Sequence, residues 1–95
     1  MCQIFAGQNK NNYQASTRRL RLNGQSTSIR LENLFWETLD ALALDQGMTT
    51  PAFVSTLHSE VLLLHGEAKN FTSLLRCCCL IHLQRQVPEQ LQAAE

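Results

Sequence analysis

The chain has 95 residues, about one domain's worth, and 44% of them are hydrophobic, which suits a packed core and argues against wholesale disorder. Formal charge is zero, with 8 basic and 8 acidic residues, but the charges are unevenly spread. Residues 1–31 hold Lys10, Arg18, Arg19, Arg21 and Arg30 and no acid, whereas every acidic residue falls in 32–95. A basic N-terminal third on an acidic body points to an anionic partner. No apolar run approaches the ~18 residues of a spanning helix, which excludes a membrane partner of that kind. The start, Met1 to Gln8, lacks the long apolar stretch of a secretory signal, so the sequence reads as cytoplasmic.

In chain order, residues 1–17 are polar and rich in Asn and Gln, and read as an irregular arm. Arg19-Leu20-Arg21-Leu22 alternates, and Asn23-Gly24 after it is a strong two-residue turn signal. Over 26–31 the alternation is clear: Ser26, Ser28 and Arg30 on one side, Thr27, Ile29 and Leu31 on the other. That is the period of a half-buried strand. From Glu32 the period becomes helical. A first helix is predicted over about 33–46, with Phe35, Leu39 and Leu42 on one stripe and Gly47 as its stop. Thr49-Thr50-Pro51 opens a second helix over 51–64, with the stripe Phe53, Leu57, Val61 and Leu64. Asn70 to Ser73 offers caps for a third helix over 71–85. That helix carries Phe71, Leu74, Leu75, Cys78 and Ile81 on one side, with further apolar residues around it. Such a helix expects burial on several faces and suggests a subunit interface. Residues 86–95 read as a frayed tail, leaving 18–85 as the domain.

The fold class expected from these elements is mainly α with one short β-strand. A lone strand has two unpaired edges. Pairing it with its copy from a second chain gives an intertwined homodimer with an intermolecular antiparallel ribbon. The bare side of such a ribbon carries Ser26, Ser28 and Arg30, and a two-stranded ribbon fits the major groove of B-DNA. The Asn23-Gly24 turn leaves a second arrangement open. An intrachain hairpin would set 22 opposite 25, 21 opposite 26 and 19 opposite 28, putting Arg19 and Arg21 on the same side as Arg30.

The run Ser26-Thr27-Ser28-Ile29-Arg30-Leu31-Glu32, the Phe35-Trp36 pair, Gly47-Met48-Thr49 and the second helix resemble the ribbon-helix-helix DNA-binding fold of the Arc and MetJ repressor class. Thr17 to Leu22, Gly24 and Asn70 to Arg76 extend the likeness to a small bacterial subgroup with an added C-terminal helix. The resemblance covers roughly 13–83. It implies sequence-specific binding of double-stranded DNA and a role in transcription, as a repressor. It makes Ser26, Ser28 and Arg30 the base readers, and Thr49 and Thr50 at the start of the second helix a phosphate clamp, where helix-end amides favour anions. This chain departs from the family in carrying no lysine or arginine at the threonine turn. Arg18, Arg19 and Arg21 are the phosphate-binding residues that would supply the charge.

Other chemistry is thin. Cys77-Cys78-Cys79 are adjacent, and helical neighbours diverge by ~100°, so the three cannot converge on one ion. His58, His65 and His82 match no zinc spacing. No nucleophilic triad or Gly-rich phosphate loop is present. The expectation is therefore no enzyme, no metal and no cofactor. Two rival readings remain: a protein-interaction or antitoxin-type module using the apolar third helix, and a redox regulator using the cysteine run. The third helix is also where dimers would join into tetramers.

Overall fold

The computed structural model describes residues 2–86. A short helix α1 (Cys2–Ala6) and a 3-10 turn (Lys10–Tyr13) lead into strand β1 (Ala15–Leu22). Strand β2 (Gln25–Glu32) follows, then α2 (Asn33–Asp45), α3 (Thr50–His65) and α4 (Phe71–Arg85). The segment read as an irregular arm thus holds two short helical pieces and the first residues of a strand. The tail beyond Gln86 lies outside the described residues.

The expectation of one strand is corrected. β1 and β2 pair antiparallel within the chain, with Leu22 opposite Gln25, Arg21 opposite Ser26, Arg19 opposite Ser28 and Thr17 opposite Arg30. The cause is the turn. Asn23 has φ 51° and Gly24 has φ 83°. Two consecutive positive φ values match the right-handed twist of the flanking strands, and Asn-Gly is the pair that adopts them most readily. Gly24 is the more demanding position, since asparagine tolerates the left-handed region and most residues do not. β2 therefore finds its mate in its own chain, and the lone-strand argument for an intermolecular ribbon loses its premise.

The hairpin's inner side forms one wall of the core. Leu20, Leu22, Ile29 and Leu31 are buried there against Trp36 and Leu39 of α2, Val54 of α3, and Leu75 and Cys79 of α4. Phe35, Leu42, Phe53, Leu57 and Phe71 pack around them, partly buried. Thr49 caps α3, its hydroxyl accepting from the Ala52 amide at 3.3 Å, and Gly66 ends that helix at φ 76°. Two stripe positions are not core: Leu64 is 78% exposed and Ile81 53%. For α3 the reason is length. The hairpin tip meets α3 at Ser55 to Ser59, so the last turn of the helix has no strand over it.

The hairpin is fastened along its inner side. At the base, the Asn33 amide donates to the Gln14 carbonyl at 2.8 Å and the Trp36 indole N–H to the Ser16 carbonyl at 2.9 Å. At mid-length, Arg18 reaches Asp40. At the tip, Asn23 reaches His58 and Ser59. On α4, Arg76 pairs with Glu32 at the end of β2, N to O 3.1 Å.

Candidate nucleic-acid interface

Strand alternation places Thr17, Arg19 and Arg21 of β1 and Ser26, Ser28 and Arg30 of β2 on the side facing away from the helices. All six are exposed. The cross-strand register interleaves them: Arg21 beside Ser26, Arg19 beside Ser28, Thr17 beside Arg30. Three guanidinium groups share this face with three hydroxyls, and no acidic side chain stands among the six. Among the described residues no carboxylate comes within 4.0 Å of Arg19, Arg21 or Arg30, the nearest influence being Glu32, which feels the charge of Arg30. Three of the five basic residues of the N-terminal third, Arg19, Arg21 and Arg30, therefore share one side of a two-stranded ribbon, without an ion pair among the described residues.

Arg18 stands elsewhere. It projects from the inner side of β1 and grips Asp40 of α2 with both terminal nitrogens, Nη1 to Oδ1 at 2.8 Å and Nη2 to Oδ2 at 3.1 Å. Its guanidinium also lies 4.4 Å from the Trp36 ring centroid, a cation–π contact. The bonds from Arg18 hold the Asp40 carboxyl below the usual carboxylate range, opposed by partial burial and helped by a bond from Thr50. The same bonds raise the Arg18 pKa. The Glu32 carboxyl is likewise lowered, first by its own backbone amide and then by Arg76.

The threonines also have internal partners. Thr49 caps α3, and the Thr50 hydroxyl donates to Asp40 Oδ1 at 2.7 Å. Pro51 has no amide hydrogen and the Ala52 amide is taken by Thr49. At the start of α3, two of the amides that could hold an anion are thus missing or taken, and the Thr50 hydroxyl lies on a carboxylate. The structure brings Ser26, Ser28, Arg30, Arg19 and Arg21 together, and sets Arg18, Thr49 and Thr50 apart around Asp40.

Two contributors escaped the sequence reading. Thr17 joins the outer face, and continuing the alternation two residues back from Arg19 finds it. Asp40 has no local signal, because its role depends on which residue of β1 crosses α2. The cysteines fan out on α4: Cys77 exposed, Cys78 half-buried, Cys79 buried. Burial raises the thiol pKa of Cys78, and that of Cys79 to about 11. Among the described residues no three His, Cys, Asp or Glu side chains gather as metal ligands. Nor is any helix among them long and apolar enough to cross a membrane.

A hairpin with a basic outer face, carried on three helices, is the frame of a class of small DNA-binding regulators. The ribbon-helix-helix domain model matches residues 15–83, and the chain belongs to that family, whose members are in general regulatory DNA-binding proteins rather than enzymes. Among solved structures, it is similar to an uncharacterized protein from Bordetella pertussis Tohama I. The two share 41% sequence identity and a TM-score of 0.85, and the match covers 94% of this chain and 74% of that one. No curated protein matches the chain significantly.

Proposed function

We propose that this protein binds double-stranded DNA sequence-specifically through the outer face of its hairpin, as a transcriptional regulator acting by repression. The observation that carries the reading is the clean sorting of that face, with Arg19, Arg21, Arg30, Thr17, Ser26 and Ser28 outward and every buried hairpin side chain apolar. B-DNA's major groove, about 12 Å wide, admits a two-stranded ribbon. Arg30 is the base reader, through two bonds to guanine, with Ser26 and Ser28 beside it. Arg19 and Arg21 lie across the ribbon and neutralise phosphates.

The intrachain hairpin is itself the ribbon in this reading. Joining two chains edge to edge along β2 would make four strands, with outer backbones about 14 Å apart at ~4.8 Å per strand, too broad for the groove. Ribbon-helix-helix proteins generally bind DNA as dimers. A second copy here would join through the helices and bring its own ribbon to a second half-site. The apolar side of α4 favours this, since Leu80, Ile81 and Leu83 are each about half exposed. The same surface supports the second reading, docking of a different protein on α4.

The test is selection from a random duplex pool with purified protein, followed by a salt titration on the winner. Enrichment of a defined site, bound more weakly as salt rises, is the expected result. Recovery of an unenriched pool would refute sequence-specific binding. Salt-insensitive behaviour together with co-purification of one fixed protein would favour the second reading.

A further inference from the structure

Asn23 makes the turn, but its side chain has a second set of contacts that a turn does not need. Nδ2 donates to His58 Nδ1 at 2.7 Å, with the imidazole proton on Nε2. Oδ1 accepts from the Ser59 hydroxyl at 2.7 Å. The backbone amide of Asn23 approaches Ser55 Oγ at 3.5 Å, the limit of a hydrogen bond. His58 is in turn set against Phe71 of α4, ring edge to face, with centroids 5.0 Å apart and planes at 88°. One side chain at the tip of the ribbon is thus tied to adjacent residues of α3, and through His58 to α4.

This matters because a two-stranded hairpin is marginally stable by itself and twists readily. The base of this one continues directly into α2, while its tip is held by what it touches on α3. A tip left free would swing the six outward side chains relative to the helices. Recognition would then carry the cost of ordering them.

We propose that Asn23, held by His58 and Ser59, is a positioning residue that fixes the pitch of the ribbon on the helices, so that the outer face meets DNA already aligned. The proposal rests on the DNA-binding reading for its consequence, but the fastening can be measured without DNA. Glycine adopts the left-handed region at least as readily as asparagine. Asn23→Gly therefore keeps the turn and removes the side-chain ties, and His58→Ala removes a tie while leaving the turn backbone as it is, which separates loss of the ties from glycine's added backbone freedom.

Two measurements test it on the full chain. Amide hydrogen exchange on the free protein should show the Leu22 and Gln25 amides, which close the turn, exchanging faster in Asn23→Gly while the amides near Ser16 and Leu31 stay as in the wild type. Affinity for the selected duplex should fall about fivefold, the order of one or two net hydrogen bonds that hold the alignment. Its slope against log salt should not change, because no phosphate contact is lost. His58→Ala should mimic Asn23→Gly, the double variant should be no weaker than either single one, and His58→Asn, whose Oδ1 is an acceptor at the position of the imidazole Nδ1, should restore affinity. Wild-type exchange at the tip in Asn23→Gly would overturn the fastening. Faster exchange with unchanged affinity would overturn the positioning role. Failure of the wild type to bind duplex DNA would remove the DNA reading, whereas faster tip exchange in the variant would still support the fastening.

Discussion

The sharpest contrast the structure draws is between arginines adjacent in sequence. Arg19 and Arg21 face away from the helices with no carboxylate in reach among the described residues, while Arg18, one residue before Arg19, is gripped by Asp40 and stacked on Trp36. Each phosphate neutralised contributes about −0.9 to the slope of log K against log salt on B-DNA. Replacing both Arg19 and Arg21 with alanine should therefore flatten the slope by about 1.8. Over a fourfold rise in salt, the wild type should lose about twelvefold more affinity than the double variant. Arg18→Ala removes one positive charge from the same strand, yet should leave the slope near its wild-type value. Fluorescence anisotropy on one labelled duplex at four or five salt concentrations reads all three slopes. A flattening of about 0.9 for Arg18→Ala, or none for the double variant, would refute the assignment of these side chains to opposite sides of the ribbon.

Four further outcomes are expected. Arg30→Ala should cost about 1–3 kcal/mol at a single base position and little elsewhere, which competition with single-base variants of the selected site would show. Leu31, fully buried under the helices, should cost about 2–5 kcal/mol when truncated to alanine, read by urea denaturation. The Arg18–Asp40 pair joins two side chains 38% and 46% exposed, so after solvent screening it should contribute no more than about 1 kcal/mol. Because the folded pKa of Asp40 is depressed, that contribution is fully present above the ordinary aspartate value near 3.9 and is lost as pH falls through the folded pKa. The gap between the denaturant midpoints of wild type and Arg18→Ala should thus be widest at neutral pH and narrow in acid, leaving the part due to the Trp36 contact. Among the adjacent cysteines, Cys77 should alkylate first and Cys79 last, since Cys79 is buried with its thiol pKa pushed up to about 11. Peptide mass spectrometry after brief iodoacetamide treatment distinguishes them, and early loss of Cys79 would contradict its place in the core.

Much of this molecule is written locally. Ser26 to Leu31 alternates because a strand shows its sides in turn. Thr49-Thr50-Pro51 starts a helix because a threonine oxygen and a proline ring both suit that end, and Gly66 stops one because glycine takes a positive φ without penalty. Asn23-Gly24 carried the hairpin in two letters, yet sequence left it open against pairing with a second chain. Both arrangements satisfy the same alternation, and the choice rests on whether β1 finds enough to bury. It does, because α3 lies under β1 and covers Leu20 and Leu22. The stripes of α3 and α4 were legible in kind but not in extent, since Leu64 and Ile81 have the right spacing and yet stay exposed among the described residues. Arg18 shows the limit most plainly. Its charge and its neighbours are visible in the sequence, but its side of the ribbon matters only once Asp40 and Trp36, more than fifteen residues away, are brought beneath it. Periodicity and turn chemistry are properties of neighbours along the chain, so the order of residues is enough to specify them. Which charges are matched and which are left bare is a property of neighbours in space, and it exists only after the hairpin has closed over the helices.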